Sequence, residues 1–407
     1  MIEAGFESVE TVFRERAALQ PEGGLAFAVT VAGEPVVDLV AGEQAPGVPW
    51  TSDTRTGVAS VTKGWAVMCV QILFDRGALS IDMPMVDVWP EFGANGKERI
   101  RLRHILDHTA GVIGVPDVAT LVQWDGGGWE NLDAIAERLA AATPVWEPGT
   151  KCGYHAVTFG WLVGEIVRRV SGRTLGTFFH EAIAQPLGIR SAIGVPRGEQ
   201  GDIALSISNP ALLEVPALLR PLVRNLPAKL RDPNTLPGKA FLGDGTRSIM
   251  DAIDELMIDG RWQAAEVPSS NGVTSARDLA RLYAVLANGG ELDGVRLFSE
   301  ESMKVFLEPG QRHVDEVMGS ITDIPILRGL LRRLAVVNRT VGGYDLHRPR
   351  KKKPFGPSAE TVGNGGAGGH IVLADTTNHV TAAFVRSAMS PNNDTQDALI
   401  AAVFASL

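Results

Sequence analysis

His370-Ile-Val-Leu-Ala-Asp-Thr-Thr-Asn-His-Val-Thr-Ala-Ala-Phe-Val-Arg386 is the stretch on which the fold turns. Two apolar runs, His370–Ala374 and His379–Arg386, flank a polar turn and predict paired strands, followed by a helix to Leu407. The other end of the chain carries the same signal. Leu25-Ala-Phe-Ala-Val-Thr-Val31 and Glu34-Pro-Val-Val-Asp-Leu-Val40, joined by Ala32-Gly33, predict a β-hairpin behind an N-terminal helix. Between the ends, helical periods dominate from Leu102 to about Gly188 and are clearest over Thr158 to Val170. Strands at both ends around a helical middle imply one sheet assembled from the two termini, an α+β arrangement. The expected division is 1–100 with 255–407 for the sheet-bearing part and 101–254 for the helical part.

Composition narrows the function. The chain has 407 residues, 45% of them hydrophobic, which is globular rather than fibrous or disordered. A net charge of −9 gives no basic face for a nucleic-acid backbone. Two cysteines, Cys69 and Cys152, make no disulfide framework and suit a reducing compartment. Met1 to Gln20 carries early acids and helical spacing rather than a basic start and an apolar core, and no run of about 18 apolar residues follows. The expectation is a cytosolic protein without a transmembrane segment. Its oligomeric state is open.

Two segments break the regular pattern. Pro210 to Pro237 interleaves Pro with Leu, which interrupts any long helix and predicts short covering turns over about 205–240. The second runs from about 312 to 361. Its apolar–cationic stretch Ile324–Leu334 and basic run Arg348-Pro-Arg-Lys-Lys-Lys353 admit weak contact with an anionic membrane surface, against the plainer reading of solvated charge beside packed leucines. Whether either segment closes over a pocket is not written in the sequence.

Chemistry is suggested by Ser60-Val-Thr-Lys63 at the start of a predicted helix. Positions i and i+3 share a helical face, so hydroxyl and amine can meet. A desolvated Lys loses affinity for its proton and can activate a Ser hydroxyl. Tyr154, one of three tyrosines, follows the turn Glu147-Pro-Gly-Thr150 and precedes a helix. A phenol beside a Lys ammonium can be held as phenolate and act as general base. Gly363-Asn-Gly-Gly-Ala-Gly-Gly369 enters a strand, and its glycines admit a backbone close to a ligand. His104 and His108 are four apart, but no Glu adjoins His104 in the metalloprotease pattern, so no metal and no other cofactor is read.

Together these features resemble the penicillin-recognising serine hydrolases, namely class C β-lactamases, D,D-peptidases and carboxylesterases of β-lactamase fold. Gly57–Lys63, Leu102–Gly111, Trp146–Thr150, Gln185–Gly188, Asn271–Asp278 and Asn288–Gly294 resemble family blocks in family order. The resemblance implies Ser60 as acylated nucleophile, Lys63 as its proton acceptor and Tyr154 as general base and then acid. It implies an oxyanion hole from the amides of Ser60 and Ala367, with Asn364, Gly365 and Gly366 against the substrate. His155, next to Tyr154, is a candidate substrate contact, with a hydrogen-bonded structural histidine as the plainer reading. Two departures bear on specificity. Ala156 stands where the lactamases end the Tyr motif in Asn, and Asn364 stands where they place the Lys of the third motif. An Asn supplies no positive charge for a β-lactam carboxylate. The expected activity is therefore hydrolysis of a small-molecule carboxylic ester through an acyl-enzyme. A β-lactamase, D-amino-acid peptidase or acyltransferase of the same fold is the alternative, and a non-catalytic binding protein is the alternative of another class.

Overall fold

The computed structural model describes residues 1–20, 22–207, 225–321, 335–346, 355–390 and 392–407. Residues 324–334, the basic run 348–353 and most of the Pro/Leu-rich stretch lie outside the described residues, and with them the expected membrane contact.

Seven strands form one antiparallel sheet: β1 (Gly24–Val31), β2 (Glu34–Ala45), β3 (Val48–Pro49), β4 (Asp345–Leu346), β5 (Thr361–Gly366), β6 (His370–Asp375) and β7 (Val380–Arg386). Their order in space is β4-β5-β6-β7-β1-β2-β3, so the N-terminal hairpin and the C-terminal strands meet where β1 pairs with β7. The register sets Phe27 between Leu39 and Phe384.

Side chains alternate across a strand, and the two faces of β1 show what each face is for. Leu25, Phe27 and Val29 enter a smaller core with Val9 and Phe13 of α1 (Glu7–Ala18), Phe6 just before it, and Leu399 and Val403 of the C-terminal helix. Ala26 and Ala28 face the other way, with Ala383 of β7, into the larger core. Small residues there let a helix lie close. Burying Phe27 contributes roughly 2–3 kcal/mol.

The helix α2 (Thr62–Asp75) is buried from Thr62 to Leu73 on every side, as a central helix must be. It packs on α3 (Thr158–Ser171), and Trp65 stacks on Phe179 at 5.2 Å. Gly77, at φ +69°, follows its last turn in the left-handed region that glycine adopts without strain. The helix α4 (Ala276–Ala287), capped by the Ser275 side chain, lies against β1, β6 and β7, and α5 (Asp394–Ser406) closes the chain beside α1.

Two features depart from the sequence pattern. The glycine stretch does not merely enter a strand: Gly363 to Gly366 are the end of β5, and Gly368 and Gly369 make the turn into β6 at positive φ. A side chain on Gly366 would reach within 2.3 Å of the Val58 carbonyl, so glycine lets β5 abut the Ser60 turn. In addition, Ala192–Ile193, inside the expected helical part, pairs with Gly272–Thr274, which also pairs with Thr56–Gly57. This small sheet lies beside the Ser60 turn. None of the described helices is long and apolar enough to cross a membrane.

Candidate active site

Ser60 sits in the turn just before α2, and that turn is tied down at several points. Val58 N–H donates to the Gly272 carbonyl at 2.9 Å. Thr62 Oγ1 donates to the Ala59 carbonyl at 2.6 Å and accepts from Gly272 N–H at 2.8 Å. Ala59 holds φ +47°, a left-handed conformation unusual for a side chain and maintained by these contacts. The result is a fixed hydroxyl at the head of a buried helix.

Lys63 lies one turn on and is 5% exposed. Its Nζ is 3.2 Å from Ser60 Oγ and donates to the carbonyls of Ala156 at 2.8 Å and Ser269 at 2.9 Å. Burial, and then the Arg339 guanidinium, hold the amine well below the usual lysine range, while Asp345 opposes them. Tyr154 approaches from the segment before α3. Its hydroxyl donates to Ser60 Oγ at 2.7 Å, and Lys63 Nζ lies 4.7 Å from the ring centre. Burial pushes the phenol up to about 12, against the hydrogen bond to Ser60 and the Arg339 charge. The phenol is therefore neutral at rest, which departs from the phenolate expected for a tyrosine beside an ammonium.

These residues open on a cavity of about 700 Å³. Ser60, Tyr154, Ala156, Gly365 and Ala367 form one wall, and Phe241, Ile249, Ile253, Met318 and Phe355 form an apolar one. Among the described residues, the N–H groups of Ser60 and Ala367 have no acceptor elsewhere. Gly365 reaches the cavity, and Gly366 faces the Val58 carbonyl.

Asn364 is corrected as a substrate contact, and His155 takes the structural reading. Asn364 is 6% exposed and does not line the cavity; its Oδ1 accepts from Tyr283 O–H at 2.7 Å. The alternation of β5 turns this side chain onto α2, against Gly64, where an added Cβ would meet Asn364 Oδ1 at 2.3 Å. His155 is buried behind Tyr154. Its Nδ1 bonds the Gly153 carbonyl at 2.7 Å, its main-chain N–H donates to His108 Nδ1 at 3.1 Å, and burial lowers its ring to about 4. It supports the tyrosine turn from inside. His104, the other half of the His pair, accepts at Nδ1 from Arg101 N–H at 3.2 Å.

The sequence also passed over residues that the fold brings in. Asp315, Val337, Arg339, Asp345 and Leu346 come from the second irregular segment and line the cavity. Arg339 has no motif around it, so no local signal points to it. Ile249 and Ile253 do carry one, being four apart on the helix Ile249–Ile258.

The chain is 35% identical over 287 residues to the esterase/beta-lactamase LipL of Mycobacterium tuberculosis (strain ATCC 25618 / H37Rv), covering 69% of this chain and 62% of that protein. It is 32% identical over 162 residues to the esterase EstB of Burkholderia gladioli, covering 35% of this chain and 39% of that one. The whole chain superposes on a penicillin-binding protein homologue from Caulobacter crescentus, with TM-score 0.81, 32% identity and 99% of that chain covered. It also superposes on a family VIII carboxylesterase, with TM-score 0.82, 29% identity and 99% of that chain covered. Residues 9–406 match the family model described as Beta-lactamase, and the chain belongs to the beta-lactamase family.

Proposed function

We propose that the protein is a serine hydrolase that cleaves small carboxylic esters through an acyl-enzyme on Ser60. One observation carries this reading: Ser60 Oγ sits 2.7 Å from a phenol that donates to it and 3.2 Å from a buried amine. Two N–H bonds of an uncharged Lys63 go to the Ala156 and Ser269 carbonyls, which leaves its lone pair for the Ser60 hydroxyl proton. Tyr154 donates to the same oxygen and so turns the serine proton toward the lysine.

The chemistry follows in order. Ser60 Oγ attacks the ester carbonyl as its proton passes to Lys63 Nζ. The oxyanion is held by the Ser60 and Ala367 amides, where removing one such donor typically costs about 10²–10³ in rate. Tyr154 gives its proton to the departing alkoxide and recovers one directly from the Lys63 ammonium beside it. Water then attacks the acyl carbonyl, yields a proton to the Lys63–Tyr154 pair, and the pair returns a proton to Ser60 Oγ as the acid leaves. The esterases among the relatives, and the family VIII carboxylesterase that matches along the whole chain, support an ester as the acyl donor.

The test is hydrolysis of short-chain p-nitrophenyl esters together with intact-mass detection of an adduct mapped to Ser60. Turnover that survives Ser60→Ala would sink the reading. A β-lactam is the second acyl donor, because the name of LipL couples the two activities. Faster turnover of nitrocefin than of the ester at equal enzyme would reverse the order of preference.

A further inference from the structure

The described residues of the second irregular segment brace the tyrosine turn directly. Glu316 N–H donates to the Cys152 carbonyl at 2.9 Å, and Val317, with the Trp146 ring, occupies the space where a Gly153 side chain would stand. Asp315 is wholly buried; its Oδ1 accepts from Tyr154 N–H at 3.0 Å, Val317 N–H at 3.1 Å and Met318 N–H at 3.0 Å. Its Oδ2 has no hydrogen-bond partner among the described residues. Arg339 enters from the far side of the same segment. Its side chain is 10% exposed, with Nε 3.5 Å from Asp345 Oδ1 and Nη1 3.8 Å from Cys152 Sγ, two residues before Tyr154.

We propose that Asp315 and Arg339 are positioning residues of the ester-cleaving centre, Asp315 clamping the main chain of Tyr154 and Arg339 setting a fixed positive charge behind the Lys63–Ser60–Tyr154 chain. The proposal rests on the acylation of Ser60 argued above. The Tyr154–Ser60 contact is only as good as the placement of the tyrosine turn, and displacements near 1 Å at a reacting centre cost about 10²-fold. The charges around the chain agree. Lys63 is faced by Ser60, the Tyr154 phenol, two carbonyls, Arg339 and Asp345, and of these charged groups Arg339 acts on it more strongly. Around Tyr154 stand Asp315, Cys152 and the uncharged rings of His108 and His155. A cation there disfavours a second one on Lys63 and keeps the amine able to accept.

The experiment measures kcat, KM and the pH profile of kcat/KM on p-nitrophenyl butyrate, with a fluorophosphonate label on wild-type Ser60 as control. Asp315→Ala is expected to lower kcat about 50-fold and Asp315→Asn about fivefold, both with KM within twofold of wild type. Arg339→Gln is expected to move the acid limb upward by about one pH unit, and Arg339→Lys to restore it. If Asp315→Ala does not fold, kcat of the near-isosteric Asn variant decides. Wild-type kcat in both Asp315 variants with only a lowered melting temperature would make the residue structural and overturn its half of the proposal. An unmoved acid limb in Arg339→Gln, or a loss confined to esters bearing a carboxylate, would make Arg339 inert or a substrate anchor and overturn the other half. A wild-type protein that neither turns over nor labels sinks the acylation reading itself; an active wild type with unaffected variants sinks only this one.

Discussion

Two buried lysines in this protein have opposite fates. Lys97 has no solvent exposure, and its Nζ donates to the carbonyls of Ala94 at 2.6 Å, Ala140 at 2.9 Å and Ala142, over the Phe92 ring at 5.3 Å. Ala140 and Ala142 stand at the C-terminal end of the helix Leu132–Ala141, where orphan carbonyls and the negative end of the helix dipole favour a cation. Three acceptors use all three N–H bonds of an ammonium. Lys63 has two carbonyls and, in the third direction, the oxygen of a serine, with the Arg339 charge nearby. Burial lowers both amines, so burial alone does not make a base. The third partner and the neighbouring charge decide whether the site is chemical or structural.

Breaking the chemical site gives the largest expected effect. Ser60→Ala and Lys63→Arg should each lower kcat/KM on a short-chain ester by at least about 10⁴-fold. The arginine is the sharper test, since it keeps the cation but cannot become a neutral acceptor, and a variant with residual rates near wild type would contradict the role given to Lys63. Tyr154→Phe retains the ring and loses the donor to Ser60 Oγ, so kcat should fall about 10²–10³-fold with the fold intact by circular dichroism. Breaking the structural site should do the reverse. Lys97→Met leaves three carbonyls without their donor, and the urea midpoint should report a loss of about 2–3 kcal/mol with kcat/KM within twofold of wild type.

The smallest effect is a pH dependence that neither lysine causes. His155 is lowered to about 4, His370 to about 3 and His108 well below its usual value, in each case first by burial. The folded protein keeps these rings neutral, whereas the unfolded chain takes up protons as pH falls below about 6.5. The stability present above that pH is therefore lost as pH falls toward 4, by roughly 1–2 kcal/mol per histidine at pH 5. His155→Gln should flatten the drop in urea midpoint between pH 7 and pH 5, and an unchanged slope would show that this ring is not responsible.

Much of the fold was readable because its signals are local. The runs 25–31, 34–40, 370–374 and 379–386 alternate or stay apolar over strand lengths, and all four lie in the sheet. The two sites of error have physical causes. The glycine stretch reads as the entry to a strand, yet Gly363–Gly366 are part of β5, where a side chain at Gly363 would meet the Val372 carbonyl at 2.2 Å and one at Gly366 the Val58 carbonyl at 2.3 Å. Asn364 reads as a ligand group by its place in a motif, while strand alternation turns it inward to Tyr283.

What the sequence determined by itself was the nearness of Ser60 to Lys63, because a three-residue step through the turn that opens α2 keeps the two side chains close. The strands at the two ends were legible for a similar reason, since alternation is a property of the chain. What only the tertiary structure decided was the company that pair keeps. Tyr154 arrives from 94 residues away, Asp315 grips its main chain from far along the sequence, and Arg339 brings its charge out of a segment without a motif. Electrostatics and burial depend on distance in space, and no spacing along the chain encodes them.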